Sequence, residues 1–380
     1  MGKRRPFASS SPLFFLKIEG NRGKMMKKKP QSIQQVSVKD FLSAVSFLRE
    51  FLPAKDNRVV HFDVGSMHVV SEVKGARVDT GWKIGTTFAV PFDRLISALS
   101  VVSAQGVALI DLYLDGPALV WSGGPARGRI TSVDHVEFPT IPKTWVELTP
   151  MFAIALKRAS FVVTSREQWP MFHGVYWSRD GAFMASDGDR LVAVRTSPPV
   201  RSVRDGGVTV PDHLLRALSD STVTHAQCSE SDLWVRTASA TAFGRLYHAE
   251  FPHARLAQIF DEFSEHAGAG DFTHVIIKPN QHVRALMQSI VTASESPLRA
   301  ANVEVTARGV GVWCEGEYGE ARVTIDGDVT GVDVKCRVNA EYLMEAMDQG
   351  CDHLYVTSRA IYFASDDRLF QHAVMLFVSR

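Results

Sequence analysis

Apolar residues first fall into a regular pattern from Val36. Val38, Phe41, Leu42, Val45 and Leu48 recur at helical spacing, with Lys39, Ser43, Ser46 and Arg49 on the opposite side. Short strand-like runs follow at Arg58 to Val64, at Met67 to Lys74 and in the stretch ending at Val90. Phe88 to Ser100 then reads as a strand entering a helix, with Pro91 at its first turn. Strands resume at Ala108 to Leu114 and Ala118 to Trp121, and the unit closes on Phe138-Pro139. The same order returns from Thr149 or Pro150, where Phe152, Leu156, Ala159 and Val163 form an apolar seam. Val208 to Ser219 repeats the strand and short helix around Pro211, and this unit ends on Phe251-Pro252. After a linker containing Ala267-Gly-Ala-Gly270, a third helix buries Val283, Leu286, Met287, Ile290 and Val291. A third strand-to-helix run spans Cys336 to Met347, with Asn339 where the prolines stood, before final strands at Leu354 to Phe363 and Gln371 to Val378.

Three passes of helix, strands, helix, strands predict an α+β protein made by tandem duplication. Its 380 residues exceed one ordinary core. The expected divisions are a basic, disordered tail over residues 1–34 and three similar domains over 35–142, 143–262 and 263–380. Each domain should carry two helices packed on antiparallel sheets. The net charge of +1 hides an asymmetry: the tail holds nine Lys or Arg and one acid, which leaves −7 on the rest. Such a body excludes a generic DNA-binding domain, so contacts to nucleic acid must come from locally placed basic residues. The tail's apolar run, Pro12 to Leu16, is too short to cross a membrane, and no membrane partner is expected. Met25-Met26 is an alternative start, and a basic arm touching DNA or a membrane surface is the second reading of the tail. Cys228, Cys314, Cys336 and Cys351 are widely spaced and indicate neither a zinc site nor a disulfide framework, as suits a reducing cytoplasm.

Catalytic signatures are missing from the sequence: no Walker loop, Rossmann glycine pattern, H-E-x-x-H or G-x-S-x-G occurs. The 13 histidines are scattered, and neither metal nor cofactor is expected. Gly123 to Gly128 reads as a hairpin loop. Gly181 to Val194 reads as two strands turning on Ser186-Asp-Gly-Asp-Arg-Leu191. There Gly188 supplies a positive φ, while Ser186 and Asp187 bond nearby backbone N–H groups. From the residues alone this is either a plain hairpin or a peptide-binding corner formed by Arg190 and Leu191.

Ala185-Ser-Asp-Gly-Asp-Arg-Leu191 resembles the Ala-Thr-Asp-Gly-His-Arg-Leu signature of bacterial and phage DNA polymerase III β subunits, the β sliding clamps. The likeness extends over about residues 35 to 380 through the Phe-Pro unit ends and Val-Pro helix starts. Asp189 for His and Ser186 for Thr are departures that change the corner's charge. The resemblance implies a DNA clamp fold and a non-enzymatic, cytoplasmic processivity factor. Such a factor closes as a head-to-tail homodimer around double-stranded DNA without reading sequence. Its partners would be a DNA polymerase and a clamp loader. DNA-facing candidates are Lys39, Arg49, Arg94, Lys157, Arg158, Arg216 and Arg284 on helices, with Arg166 and Gln168 in a loop beside Trp169. Glu341, Glu345 and Asp348 make the last helix acidic. The implied partner-peptide groove comprises Phe172, Gly188, Asp189, Arg190, Leu191, Pro252, Leu256, Ala257, Ala360, Tyr362, Val374, Met375, Leu376 and Phe377. For Val374 and Met375, core packing is the competing reading. Ile290, Val291 and Arg322 are candidates for the closing interface. Two rivals stay open: a clamp-like adaptor that binds replication proteins without encircling DNA, and a metal-dependent nuclease or phosphatase using Asp187 and Asp189.

Overall fold

The computed structural model describes residues 33–53, 58–164, 166–219, 222–269, 272–277, 283–294, 299–316 and 319–377, so the basic leader before Ile33 lies outside it. The first repeat runs β1 (Gln34–Ser37), α1 (Val38–Arg49), β2 (Val59–Asp63), β3 (Ser66–Val70), β4 (Lys74–Asp79), β5 (Phe88–Pro91), α2 (Phe92–Ala104), β6 (Leu109–Leu114), β7 (Ala118–Gly123) and β8 (Ala126–Thr131). The second runs β9 (Val146–Glu147), α3 (Met151–Ser160), β10 (Gly174–Trp177), β11 (Ala182–Ser186), β12 (Arg190–Arg195), β13 (Val208–Pro211), α4 (Asp212–Ser219), β14 (His225–Cys228), β15 (Asp232–Arg236) and β16 (Ala240–Arg245). A long helix, α5 (His253–Ala269), leads to the third. That repeat holds β17 (Thr273–Ile277), α6 (Val283–Ala293), β18 (Ala300–Thr306), β19 (Gly309–Gly316), β20 (Gly319–Ile325), β21 (Gly327–Thr330), β22 (Val334–Asn339), α7 (Ala340–Asp348), β23 (His353–Val356), β24 (Ala360–Ala364) and β25 (Phe370–Met375).

Local chemistry sets these boundaries. Ser37 caps α1 by accepting from the Asp40 amide at 3.3 Å, and Asn339 caps α7 by accepting from the Glu341 amide at 2.9 Å. Pro91 stands at the N-cap of α2, where its missing N–H costs nothing. On α1 the buried positions are Val38, Phe41, Ala44, Val45 and Leu48, the stripe that the spacing predicts apart from Ala44 in place of the half-buried Leu42. On α6 the interior positions are Met287, Ile290 and Val291, while Leu286 is exposed; the side chain of Val283 lies outside the described residues. Ile290 and Val291 are thus core residues of the third repeat and unavailable to an interface between copies, unlike the exposed Arg322.

The sheets show how the repeats join. Within each repeat, one four-stranded set, the early set, lies between the two helices, and the other joins three strands after the second helix to the strand before the first (β1, β9 or β17). The third strand of the early set in one repeat pairs antiparallel with the last strand of the next repeat: β4 with β16, and β12 with β25. The result is an eight-stranded sheet, β5-β2-β3-β4-β16-β15-β14-β9, and a nine-stranded sheet, β13-β10-β11-β12-β25-β24-β23-β17-β21. The two unjoined sets, β1-β6-β7-β8 and β20-β19-β18-β22, lie at the two ends of the chain. Helices pair within repeats, α1 with α2, α3 with α4 and α6 with α7, and pack on one face of the sheets.

One element was not foreseen. The expected linker around Ala267-Gly-Ala-Gly270 is occupied by α5, which reaches Ala269; Gly270 lies outside the described residues. Its apolar residues Leu256, Ala257, Ile259, Phe260 and Phe263 find partners on the face of the nine-stranded sheet opposite the paired helices, and this burial outweighs the poor helix propensity of Gly268.

Candidate partner-peptide groove and helical face

The Ser186–Leu191 stretch forms the predicted hairpin turn. Gly188 has φ +91°, its amide donates to Ser186 Oγ at 3.1 Å, and the amides of Asp189 and Arg190 both donate to Asp187 Oδ1 at 3.0 Å. Asp187 Oδ2 accepts from Arg190 Nε at 2.8 Å, so this carboxylate is spent inside its own loop. Asp189 pairs instead with Arg166 at 3.4 Å. Both acids are turned to arginine and backbone, an arrangement that serves a turn rather than a metal ion.

Strand alternation then separates residues that the sequence brackets together. Side chains along a strand point to opposite faces in turn. On β12, Leu191 and Ala193 face the α5 side with Met184 and Ala373, whereas Val192 and Val194 face the helical core with Phe370 and Val374. Arg190 therefore does not line the groove beside Leu191. It turns to the helical side, only 9% exposed, where it ion-pairs with Glu345 of α7 and lies over the rings of Tyr342 (4.0 Å) and Phe161 (5.4 Å). This arginine locks the second repeat to the third. Val374 is likewise fully buried under the helices, as the core reading has it. Leu376 packs against the same core, and the amide of Phe377 donates to Arg337 O at 2.8 Å, which directs the chain's end along the third repeat.

Phe172, Leu191, Leu256, Ala257 and Tyr362 do come together, around buried Tyr176, Phe251 and Phe260. Ala360 and Met375 are register partners on β24 and β25 and share the face of Tyr362 and Ala373 by alternation; Met375 is 54% exposed. Pro252 opens α5 by accepting from the Leu256 amide at 3.1 Å. Phe172 packs edge-on against Phe251, and Tyr176 stacks between Phe251 and His253. Trp169 covers Gly188 so closely that a Cβ there would lie 2.5 Å from its ring, while the Arg166 guanidinium lies over the same ring at 5.0 Å. Trp169 thus anchors its loop to the turn. Helix α5 caps the aromatic floor further on, with Phe263 stacked on Tyr362 at 4.3 Å. Burial pushes the Tyr362 hydroxyl above its ordinary range, with Glu262 adding to the rise. Sequence reasoning missed α5, although its Leu-x-x-Ile-Phe-x-x-Phe spacing was the available signal.

The helical candidates divide as well. Lys39, Arg49, Arg94 and Lys157 are exposed on α1, α2 and α3, and Gln168 is exposed in its loop. Arg158 is half-buried: its Nη2 donates to Gln349 O at 2.8 Å and its guanidinium lies 4.8 Å from the Phe370 ring, so it bridges repeats. Arg284 meets Asp348 of α7 at 3.3 Å. Arg216 lies on α4 with its side chain outside the described residues. Across the six paired helices seven Lys or Arg face six Asp or Glu, so the helical surface is close to neutral. Burial holds the thiols of Cys336 and Cys351 protonated, Cys336 at about 11, and none of the four cysteines is in a disulfide; neither of these two thiols is poised as a nucleophile. No helix among the described residues is long and apolar enough to cross a membrane.

No family model matches the sequence, and neither does any curated protein. Solved structures do match over nearly the whole chain. The DNA polymerase III β subunit of Thermotoga maritima is 15% identical with a TM-score of 0.76, over 92% of this chain and 100% of its own. The DNA polymerase sliding clamp of Bacillus subtilis is 13% identical with a TM-score of 0.76, over 92% and 99%. A sliding clamp of Bartonella birtlesii, bound to griselimycin, is 14% identical with a TM-score of 0.76, over 91% and 100%. With its three repeats, shared sheets and paired helices, the chain has the fold of the DNA polymerase III β sliding clamps.

Proposed function

We propose that the protein is a non-enzymatic, cytoplasmic sliding clamp in which two copies join head to tail, three domains each over 35–142, 143–262 and 263–380, around duplex DNA. The observation that carries this reading is the repetition of the joint. β4–β16 and β12–β25 are equivalent pairings, and the same rule applied once more couples β20 with β8, the edges left over at the two ends of the chain. Within the chain β8 and β20 are unpaired with each other, whereas a second copy satisfies the rule twice. Lys39, Arg49, Arg94, Lys157, Arg166, Gln168, Arg216 and Arg284 then meet phosphate rather than bases, which suits a ring that must slide. A DNA polymerase and a clamp loader dock short linear motifs at the end of the groove that α5 leaves open, between Phe172, Leu256, Tyr362 and Met375.

Light scattering over a dilution series tests the ring: a mass near twice the 42.0 kDa chain is expected, with retention on circular and loss from linear DNA. A monomer at every concentration overturns it. The near-neutral helical face favours a second reading, an adaptor that keeps the groove without encircling DNA. Alanine at Arg49 and Arg284 that leaves function untouched supports the adaptor.

A further inference from the structure

The outer face of the first repeat carries a cluster of histidines that the clamp reading does not use. The hairpin β2–β3 turns on Val64-Gly65, so His61 lies directly opposite His68 and Asp63 opposite Ser66, all four on the face away from the core residues Val60, Phe62, Met67 and Val69. His61 and His68 stack at 4.9 Å, and the connector leaving the first repeat brings His135 edge-on to both, at 5.3 and 5.5 Å. Each of the three rings offers a nitrogen within 4.8 Å of the others.

Proton bookkeeping singles out one atom. A carbonyl only accepts, so His68 Nε2, 2.8 Å from Val136 O, carries the proton of that ring. In the neutral ring Nδ1 is then a bare lone pair, fully buried and without an aligned hydrogen bond, 3.1 Å from Asp63 Oδ2. Two electron-rich atoms at that separation repel unless a cation, either a proton on Nδ1 or a metal ion, lies between them. The other carboxylate oxygen, Oδ1, lies 3.0 Å from His135 Nε2. Ligand atoms placed tetrahedrally about Zn2+ are about 3.3 Å apart, and these two nitrogen–oxygen edges, one to each oxygen of the Asp63 carboxylate, are close to that length. The backbone carbonyl on His68 Nε2–H is the kind of outer partner that orients a ligating imidazole. Val136 N–H donates to His61 Nδ1 at 3.1 Å, which makes His61 a clasp for the connector rather than a ligand.

We infer that His68 Nδ1, His135 Nε2 and the Asp63 carboxylate form a binding site for a zinc-class divalent ion that pins the connector between the first and second repeats to the β2–β3 hairpin. The part-exposed Asp63 and His135 provide the entry path.

The test uses the full chain stripped with chelator. Zn2+ at about a hundredfold excess over its dissociation constant should raise Tm by about 5 °C, and Co2+ should give a visible band of low-coordinate cobalt. Asp63→Asn and His135→Ala, both at part-exposed positions, should abolish both signals while keeping the metal-free Tm and circular dichroism. His353→Ala, in a second His–carboxylate cluster with Asp352 and Asp366, should leave them intact. No shift with Zn2+, or a response that survives Asp63→Asn with His135→Ala, overturns the site.

Discussion

The two internal joints share one scaffold and bury opposite chemistry. At each, an early-set strand pairs with the last strand of the following repeat, a cross-strand couple sits on the outer face, and a connector beginning near a Phe-Pro step covers it. In the first joint the couple is His61 and His68, under Val136 and Phe138. In the second it is Tyr176 and Met184, under Phe251 and α5. The inner faces differ in the same spirit: Lys74 opens β4 and donates to Glu50 O at 2.7 Å, whereas Arg190 opens β12 and holds Asp187 and Glu345 together. Backbone pairing fixes where two repeats meet, and the connector decides whether the outer surface is polar or apolar. A cavity of about 290 Å³ beside Pro139, Trp234 and Phe243 marks the first joint's counterpart of the groove, rimmed by Glu72, Asp232 and Arg245 where the second has aromatic rings.

The largest expected break is at the second joint's arginine. Arg190→Ala strands Asp187 and Glu345 and removes the stack on Tyr342, a loss of about 3 kcal/mol, whereas Lys74→Ala frees one carbonyl and costs about 1 kcal/mol. Urea unfolding of both variants checks the ratio, and equal losses would break the comparison.

Acid should act next. The folded His61 has a pKa of about 4 and His372, buried in the second joint, of about 3, both lowered mainly by burial. The unfolded chain takes up protons below about 6.5, so stability is full above that pH and falls as pH drops, by about 2 kcal/mol for each ring at pH 5. Urea midpoints at pH 7.5 and 5.0 with chelator present test this, and no change would show that these rings are not held neutral.

Gly188→Ala forces a side chain into the Trp169 ring at positive φ. A loss of about 1–2 kcal/mol is expected, with a change in tryptophan fluorescence that Gly65→Ala, which has open space, should not produce. The smallest effect has the opposite sign. Both nitrogens of His372 are buried without partners among Phe161, Phe363 and Phe370, so His372→Leu should stabilise by about 1 kcal/mol.

Much of this was legible beforehand because it is periodic. The helix stripe from Val38 to Leu48, the Ser186–Leu191 turn and the threefold order follow from spacing and turn chemistry. What stayed hidden depends on contacts across distant chain segments. Arg190 and Leu191 are neighbours in sequence, and only the pleat's sense decides that one meets α7 and the other α5. Leu256 to Phe263 has helical spacing, but its partners lie on strands more than sixty residues away on either side, and the glycines that follow read as a linker. The histidine couple could have been found by register arithmetic: a two-residue turn at Val64-Gly65 puts 61 opposite 68. His135 could not, since nothing local ties it to that hairpin.

The free edges β8 and β20 carry a consequence for assembly. Different surfaces that meet head to tail are heterologous, and such contacts close only when the rotation per subunit divides the circle; otherwise they grow into open helical polymers. If two copies join head to tail as proposed, the angle at each internal joint is under a constraint that no single chain can register. A substitution that opens the β12–β25 joint by a few degrees would then leave each chain well folded and replace the closed ring by an open polymer.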